Sequence, residues 1–103
     1  MTTNEQIAKV MGWKYCGGYF VIGKKYYTMT NKFFEMYIVK ALQQRMVEDG
    51  WNIHIIHQAN GLFLISAFKL IGGRVQPDKI VHATEPAAIV SLFCAVYGIE
   101  VER

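Results

Sequence analysis

Residues 84–98 constrain the fold of this chain more than any other stretch, because they carry the signals of a complete helix and no charged side chain after Glu85. Thr84 is a good N-cap, and Glu85 lies where the helix dipole favours a negative charge. Pro86 suits a first turn whose N–H groups have no partner within the helix, and Gly98 suits the left-handed position after the last turn. The pattern predicts a helix that begins after Thr84 and ends at Gly98.

This predicted helix is apolar on nearly every side. One stripe at helical spacing is the expected core face: Ala88, Ile89, Leu92, Phe93, Val96 and Tyr97. The opposite face is almost as apolar and consists of Ala87, Val90, Cys94 and Ala95. We therefore expect self-association as a homodimer, with Val90 and Cys94 at the oligomer contact. The alternative is that neighbouring helices and the C-terminal residues 99–103 cover this face.

The composition is that of one ordered domain spanning residues 1–103. Hydrophobic residues make up 52% of the chain and charged residues 18%, which excludes intrinsic disorder. No window reaches the roughly 20 apolar residues that a membrane helix needs, so no membrane partner is expected. The two cysteines, Cys16 and Cys94, are too few and too far apart for a disulfide framework. We expect reduced thiols and a cytoplasmic protein.

Two further helices are predicted before the last one. The first has Thr3 or Asn4 as its cap and ends near Gly12, and the second begins at residue 30 or 31 and ends at Gly50. Between them, residues 14–28 combine aromatic side chains with glycines that interrupt the pattern. We interpret this segment as a loop with one short or edge strand.

The middle of the chain predicts an antiparallel hairpin. Residues 51–58 and 62–71 have strand periodicity, and residues 59–61 form a short turn between them. A third strand falls in residues 74–83, where Pro77 breaks it or displaces it to an edge. Both faces of residues 62–71 are apolar, so this strand should be central and buried on both sides. The predicted fold is therefore α/β, a three-layer alpha/beta/alpha sandwich with a small mainly antiparallel sheet.

Three segments of the sequence resemble a known family. They are the opening TNEQIAKVMGW at residues 3–13, the Gly50-Trp51 step into the hairpin, and TEPAAI at residues 84–89. Together they resemble the phage ABA sandwich domain, a family of small bacteriophage and prophage proteins of unknown function. The resemblance implies an alpha/beta/alpha fold and a viral or prophage origin, with the host cytoplasm as the location. The family has no established activity, so the resemblance assigns no functional residue.

The sequence shows no catalytic, cofactor or metal site. His54 and His57 are three residues apart on a predicted strand, so they point to opposite faces and do not share an ion. The carboxylates form no evident acid–base pair, and neither Ser66 nor Cys16 lies in a nucleophile motif. We expect a protein that is not an enzyme and needs no cofactor. The open alternative is a pocket that only the fold assembles, from His54, His82 or carboxylates.

Charge and aromatic residues concentrate in one region instead. From Lys14 to Arg45 the chain has six basic residues and one acidic residue, although its net charge is only +3. Basic and aromatic side chains together favour a binding surface, with these predicted partner-binding residues: Tyr19, Lys24, Lys25, Tyr26, Tyr27 and Lys32. Our first hypothesis is a phage or prophage accessory protein that binds a host or phage protein and modulates or inhibits a host factor. The alternative is a nucleic-acid or nucleotide-binding module that uses the region from Lys14 to Arg45.

Overall fold

The computed structural model describes residues 2–28, 32–69, 72–76, 81–82 and 84–100, with the side chains of 32–36 and 81 left out of the description. The helices in this part of the chain are α1 (Thr3–Met11), α2 (Lys32–Glu48) and α3 (Glu85–Val96). The strands are β1 (Lys14–Cys16), β2 (Tyr19–Ile22), β3 (Lys25–Tyr27), β4 (Asn52–His57), β5 (Phe63–Lys69), β6 (Gly73–Val75) and β7 (Val81–His82). The predicted α/β class is confirmed, although two small antiparallel sheets stand where one was predicted.

The ends of the helices follow their capping residues. The Thr84 side chain accepts the N–H of Ala87 at 3.3 Å, and Gly98 after α3 has a φ of 66°, as the sequence predicted. Helix α1 is capped one residue earlier than expected, because Thr2 and Glu5 form a capping box. The predicted start of α2 at Thr30 or Asn31 lies outside the described residues.

The predicted hairpin is confirmed as β4 and β5, which pair antiparallel with Ile55 opposite Ile65. Its turn is stabilised by the N–H of Gly61 on the carbonyl of Gln58 at 3.0 Å, and the N–H of Gln58 donates to Leu62 at 2.8 Å. Gly61 has a φ of 84°, which is the left-handed conformation typical of the last residue of a three-residue hairpin loop. β5 is central, since β6 and β7 both pair with its other edge. These two short strands lie where the sequence predicted a third strand that Pro77 breaks or displaces to an edge, and Pro77 itself lies outside the described residues.

One face of the hairpin sheet is covered and the other is open. Helices α2 and α3 contact each other and pack against β4 and β5, where Ile65 is 2% exposed and Ala67 is fully buried. On the opposite face Ile56 is 48% exposed and Phe68 39% exposed. The prediction that β5 is buried on both faces is therefore wrong. Within the described residues the helical layer over β4 and β5 lies on one side, because α2 and α3 pack as neighbours.

Residues 14–28 are more ordered than the sequence predicted. They form an antiparallel meander of β1, β2 and β3 rather than a loop with one strand. The β1–β2 turn has positive φ at both Gly17 and Gly18, and the next turn has positive φ at Gly23. These are the conformations that favour two-residue hairpin turns. The glycines that suggested interruption therefore connect the strands.

A single cluster of buried side chains joins these parts. It includes Ile7 of α1, Phe20 of β2, Leu42 of α2, Ile65 of β5 and several residues of α3. The meander thus shares a core with the hairpin sheet and all three described helices. This shared core holds the outer face of the meander in a defined orientation.

The apolar second face of α3 is covered in part within the chain, and Ala87 at its N-terminal end is exposed. Cys94 is 2% exposed and Val90 is half-buried against the core, while Ile99 of the C-terminal segment is buried as well. Cys94 therefore has no surface to offer to another subunit. The C-terminal segment supplies part of this cover, since the N–H of Ile99 donates to the carbonyl of Cys94 at 2.8 Å.

Candidate binding surface

The outer face of the meander is formed by five side chains, which we call the meander face. Strand pairing places Lys14 opposite Val21 and Val21 opposite Tyr26, so these three form one row across the sheet. Cys16 lies opposite Tyr19 in the next row. Because side chains alternate along a strand, both rows point to the same side. Tyr19 and Tyr26 are diagonal neighbours on adjacent strands.

Both tyrosines of the meander face are accessible. Tyr26 is 69% exposed and Tyr19 is 45% exposed, and Tyr26 is the most exposed large hydrophobic side chain described. Lys14 and Cys16 are exposed beside them, and Val21 is half-buried between them. An aromatic pair on a rigid sheet loses little conformational entropy on binding, so it is suited to anchor a partner.

Tyr27 belongs to the opposite face. It packs against the core and stacks on Tyr37 of α2, with ring centroids 6.1 Å apart and planes within 17°. Tyr15 and Phe20 share this inner side, and their rings meet edge to face at 5.0 Å. The structure therefore separates Tyr26 from Tyr27, two neighbours that the sequence placed in one binding site.

The basic residues near the meander have different positions. Lys24 lies in the β2–β3 turn and Lys25 begins β3, and both are exposed. The side chain of Lys32 lies outside the described residues. On α2, Lys40 is exposed, and Arg45 forms an ion pair with Asp49 at 3.3 Å. The basic surplus of the sequence is thus divided between the meander and the helix.

Sequence reasoning missed Lys14, Cys16 and Val21 as members of the meander face. The signal was present, because the glycine turns define three strands and alternation then groups Tyr19 with Val21. In a loop, however, successive side chains do not alternate between two faces, so interpreting the segment as a loop removed this grouping. The aromatic residues alone were therefore selected.

The histidines do not converge. His54 lies on the open face of the hairpin sheet and His57 on the other, as their spacing predicted. Phe63 lies opposite both His57 and His82, and its ring stacks on His57 with centroids 4.3 Å apart. Phe63 therefore separates the two imidazoles. Among the described residues no group of three His, Cys, Asp or Glu side chains is placed to hold a metal ion.

Comparisons with protein-family models, with curated proteins and with solved structures found no match. The resemblance to the phage family therefore rests on the sequence motifs quoted above. No helix in the described part of the chain has the length and hydropathy to cross a bilayer.

The other polar features are weak candidates for chemistry. An open cleft of about 320 Å³ lies at the start of α1, and its lining of Thr2, Thr3, Asn4 and Tyr15 holds neutral groups. Burial raises the pKa of Cys94 to about 11, so its thiol is protonated and inert at neutral pH. Neither feature supplies an activated nucleophile or base.

A polar cluster joins the C-terminal ends of α2 and α3. The Tyr97 hydroxyl donates to the Asp49 carboxylate, which also accepts from the Arg45 Nε at 3.3 Å. The hydrogen bond from Tyr97 lowers the pKa of Asp49, and the Arg45 charge lowers it further. Burial and the Asp49 carboxylate raise the pKa of Tyr97 to about 12. Because Asp49 directly precedes Gly50 and the hairpin, the cluster links the start of the hairpin to the end of α3.

We expect the Tyr97→Phe variant to lose about 1 kcal/mol or less at neutral pH, because the cluster is partly exposed. Asp49 has a lowered pKa, so its contribution is full above its ordinary value of 3.8 and is lost as the pH falls below it. Tyr97 has a raised pKa, so its contribution is lost as the pH rises from 10 towards about 12. Urea unfolding across pH should show the difference between wild type and variant at neutral pH and not at either extreme. A difference that is constant with pH would contradict this assignment.

Proposed function

We propose that this protein is a small non-enzymatic binding protein that engages an acidic protein surface through the meander face. The observation that carries the proposal is the pair of exposed tyrosines, Tyr19 and Tyr26, on one side of a sheet whose other side is in the core. Tyrosine is over-represented among the residues that dominate binding energy at protein interfaces. The rigid sheet supplies the geometry and the tyrosines supply the contact area.

Charge defines the kind of partner. Residues 14–28 contain three lysines and no acidic residue, so the meander presents only positive charge. Lys14 lies within the face and Lys24 lies in the turn beside it, whereas Lys25 alternates with Tyr26 and so lies on the side of Tyr27. A partner with carboxylates around an apolar patch would complement this surface and be steered towards it.

The biological setting is part of the proposal. The resemblance to the phage family supports an accessory protein of viral or prophage origin that modulates or inhibits a host factor. Both cysteines are free, with Cys16 exposed, which suits a reducing compartment such as the host cytoplasm. Among the described residues no activated side chain lies near the meander face, which favours binding over catalysis.

Nucleic-acid binding is the second candidate, and the same two tyrosines favour it. Exposed tyrosines beside lysines can stack bases and contact phosphates. On α2, however, the positive charge of Arg45 is paired with Asp49, so it contributes less to phosphate binding. We therefore rank a protein partner first.

The test is affinity capture from a bacterial lysate, followed by titration of the purified partner against four variants. Tyr26→Ala and Lys14→Glu change the meander face. Phe68→Ala and Lys40→Glu are matched controls, since they remove an exposed ring or reverse an exposed charge elsewhere. We expect Tyr26→Ala to cost about 2 kcal/mol, or roughly thirtyfold in Kd, with the controls unchanged.

Two results would contradict the proposal. One is a partner whose affinity falls equally for the face variants and the controls. The other is tight binding of single-stranded DNA that weakens steeply with salt and is lost in Lys14→Glu, which would favour the nucleic-acid alternative.

A further inference from the structure

The outer edge of the hairpin sheet has the features of a pairing edge. β4 pairs with β5 on one side, and no described strand pairs with its other side. Its six residues, Asn52–His57, include no charged side chain and no proline, and its register with β5 is continuous. Natural sheets protect such edges with lysine, proline or bulges. β4 has none of these protections.

The hydrogen bonds of the hairpin show which backbone groups point outward. The N–H of Gln58 donates to Leu62 at 2.8 Å, so this pair faces inward. Inward and outward pairs alternate along antiparallel strands. The backbone groups of Ile53, Ile55 and His57 therefore point away from β5, towards the unpaired edge.

On the helix-covered face of the sheet, side chains are less buried on β4 than on β5. Ile53 and Ile55 face the same side as Ala67 and Ile65, their partners on β5. The β5 residues are buried, whereas Ile53 and Ile55 are only half-buried. An additional strand beside β4 would cover the two isoleucines and satisfy the outward backbone groups.

We propose that a second copy of this chain supplies that strand, so that two β4 strands pair antiparallel about a two-fold axis. A two-fold axis through Ile55 places Ile53 opposite His57 of the other copy and Ile55 opposite itself. All three outward-pointing residues then lie in hydrogen-bonded pairs, and no like charges meet. The same strand serves both sides, which is the requirement for a closed symmetric dimer. This interface is on a different element from the α3 contact that the sequence predicted.

Light scattering during gel filtration tests the proposal directly. We expect wild type to have twice the chain mass of 11.8 kDa, and the double variant H54K/I56K to have the monomer mass. His54 and Ile56 are exposed on the open face and lie opposite each other across the proposed axis, so lysines there would repel. Phe68→Lys is the matched control, because it places a lysine on the same face but on the central strand, and it should stay dimeric.

A charge-swapped partner makes the test specific for self-pairing. An equal mixture of H54K/I56K and H54E/I56E should recover the dimer mass, because each lysine then meets a glutamate. Circular dichroism establishes that the variants are folded, and Ile56→Lys alone replaces the double variant if it is not. A monomeric wild type at all concentrations, or a dimer that survives in H54K/I56K, would overturn the proposal. A monomer that captures a different chain at this edge would overturn it as well.

Discussion

We expect Phe20→Ala to lower the free energy of unfolding by about 3–5 kcal/mol, which is a large share of the 5–15 kcal/mol that holds a typical domain together. Phe20 is fully buried on the inner side of the meander. Its ring also meets those of Trp13 and Tyr15 edge to face, at 6.0 and 5.0 Å between centroids. Truncation removes these contacts and leaves a cavity between the meander and α1. Urea unfolding followed by circular dichroism measures the loss.

Tyr26→Ala is the matched control for Phe20→Ala. Tyr26 lies on the same sheet but points to solvent, so its removal should change the free energy of unfolding by no more than about 0.5 kcal/mol. This control also shows that any binding defect of Tyr26→Ala is not caused by unfolding. If Phe20→Ala leaves the main unfolding transition unchanged, the meander does not share a cooperative core with the rest of the chain.

The second large effect is expected for Phe93→Ala, again about 3–5 kcal/mol. Phe93 is fully buried in α3, and its ring packs on Tyr97 with centroids 4.5 Å apart. Tyr97 in turn holds Asp49 at the end of α2. Truncation of Phe93 therefore weakens both the core and the junction of the two helices.

Ala87→Ser, at an exposed position of the same helix, is the control for Phe93→Ala and should be nearly neutral. In thermal unfolding, we expect the midpoint temperature of Phe93→Ala to be far below those of the wild type and of Ala87→Ser. A loss under about 1 kcal/mol for Phe93→Ala would mean that α3 does not pack as the structure describes.

Local signals predicted the helices and the hairpin well. The cap at Thr84 and the glycine at Gly98 define α3, and the periods of residues 51–58 and 62–71 predict β4 and β5. These features depend on backbone hydrogen bonding and on alternation, which operate over a few residues. The meander was missed because its glycines were interpreted as interruptions within a loop and not as the turns that connect three short strands.

The candidate surface was predicted only in part. Composition drew attention to the aromatic and basic residues between Lys14 and Arg45, and Tyr19 and Tyr26 do lie together on an exposed face. Tyr27 points into the core instead. One residue of register separates a surface tyrosine from a core tyrosine, and that register depends on how the strand pairs.

By itself the amino-acid sequence determined both ends of α3, the hairpin and the α/β class, because capping, turn formation and periodicity are local. Tertiary structure alone decided which apolar surfaces are covered. α2 and α3 pack side by side on one face of the hairpin sheet, so Cys94 is buried while Ile56 and Phe68 remain exposed. That outcome depends on contacts between distant segments, whose geometry no local pattern specifies.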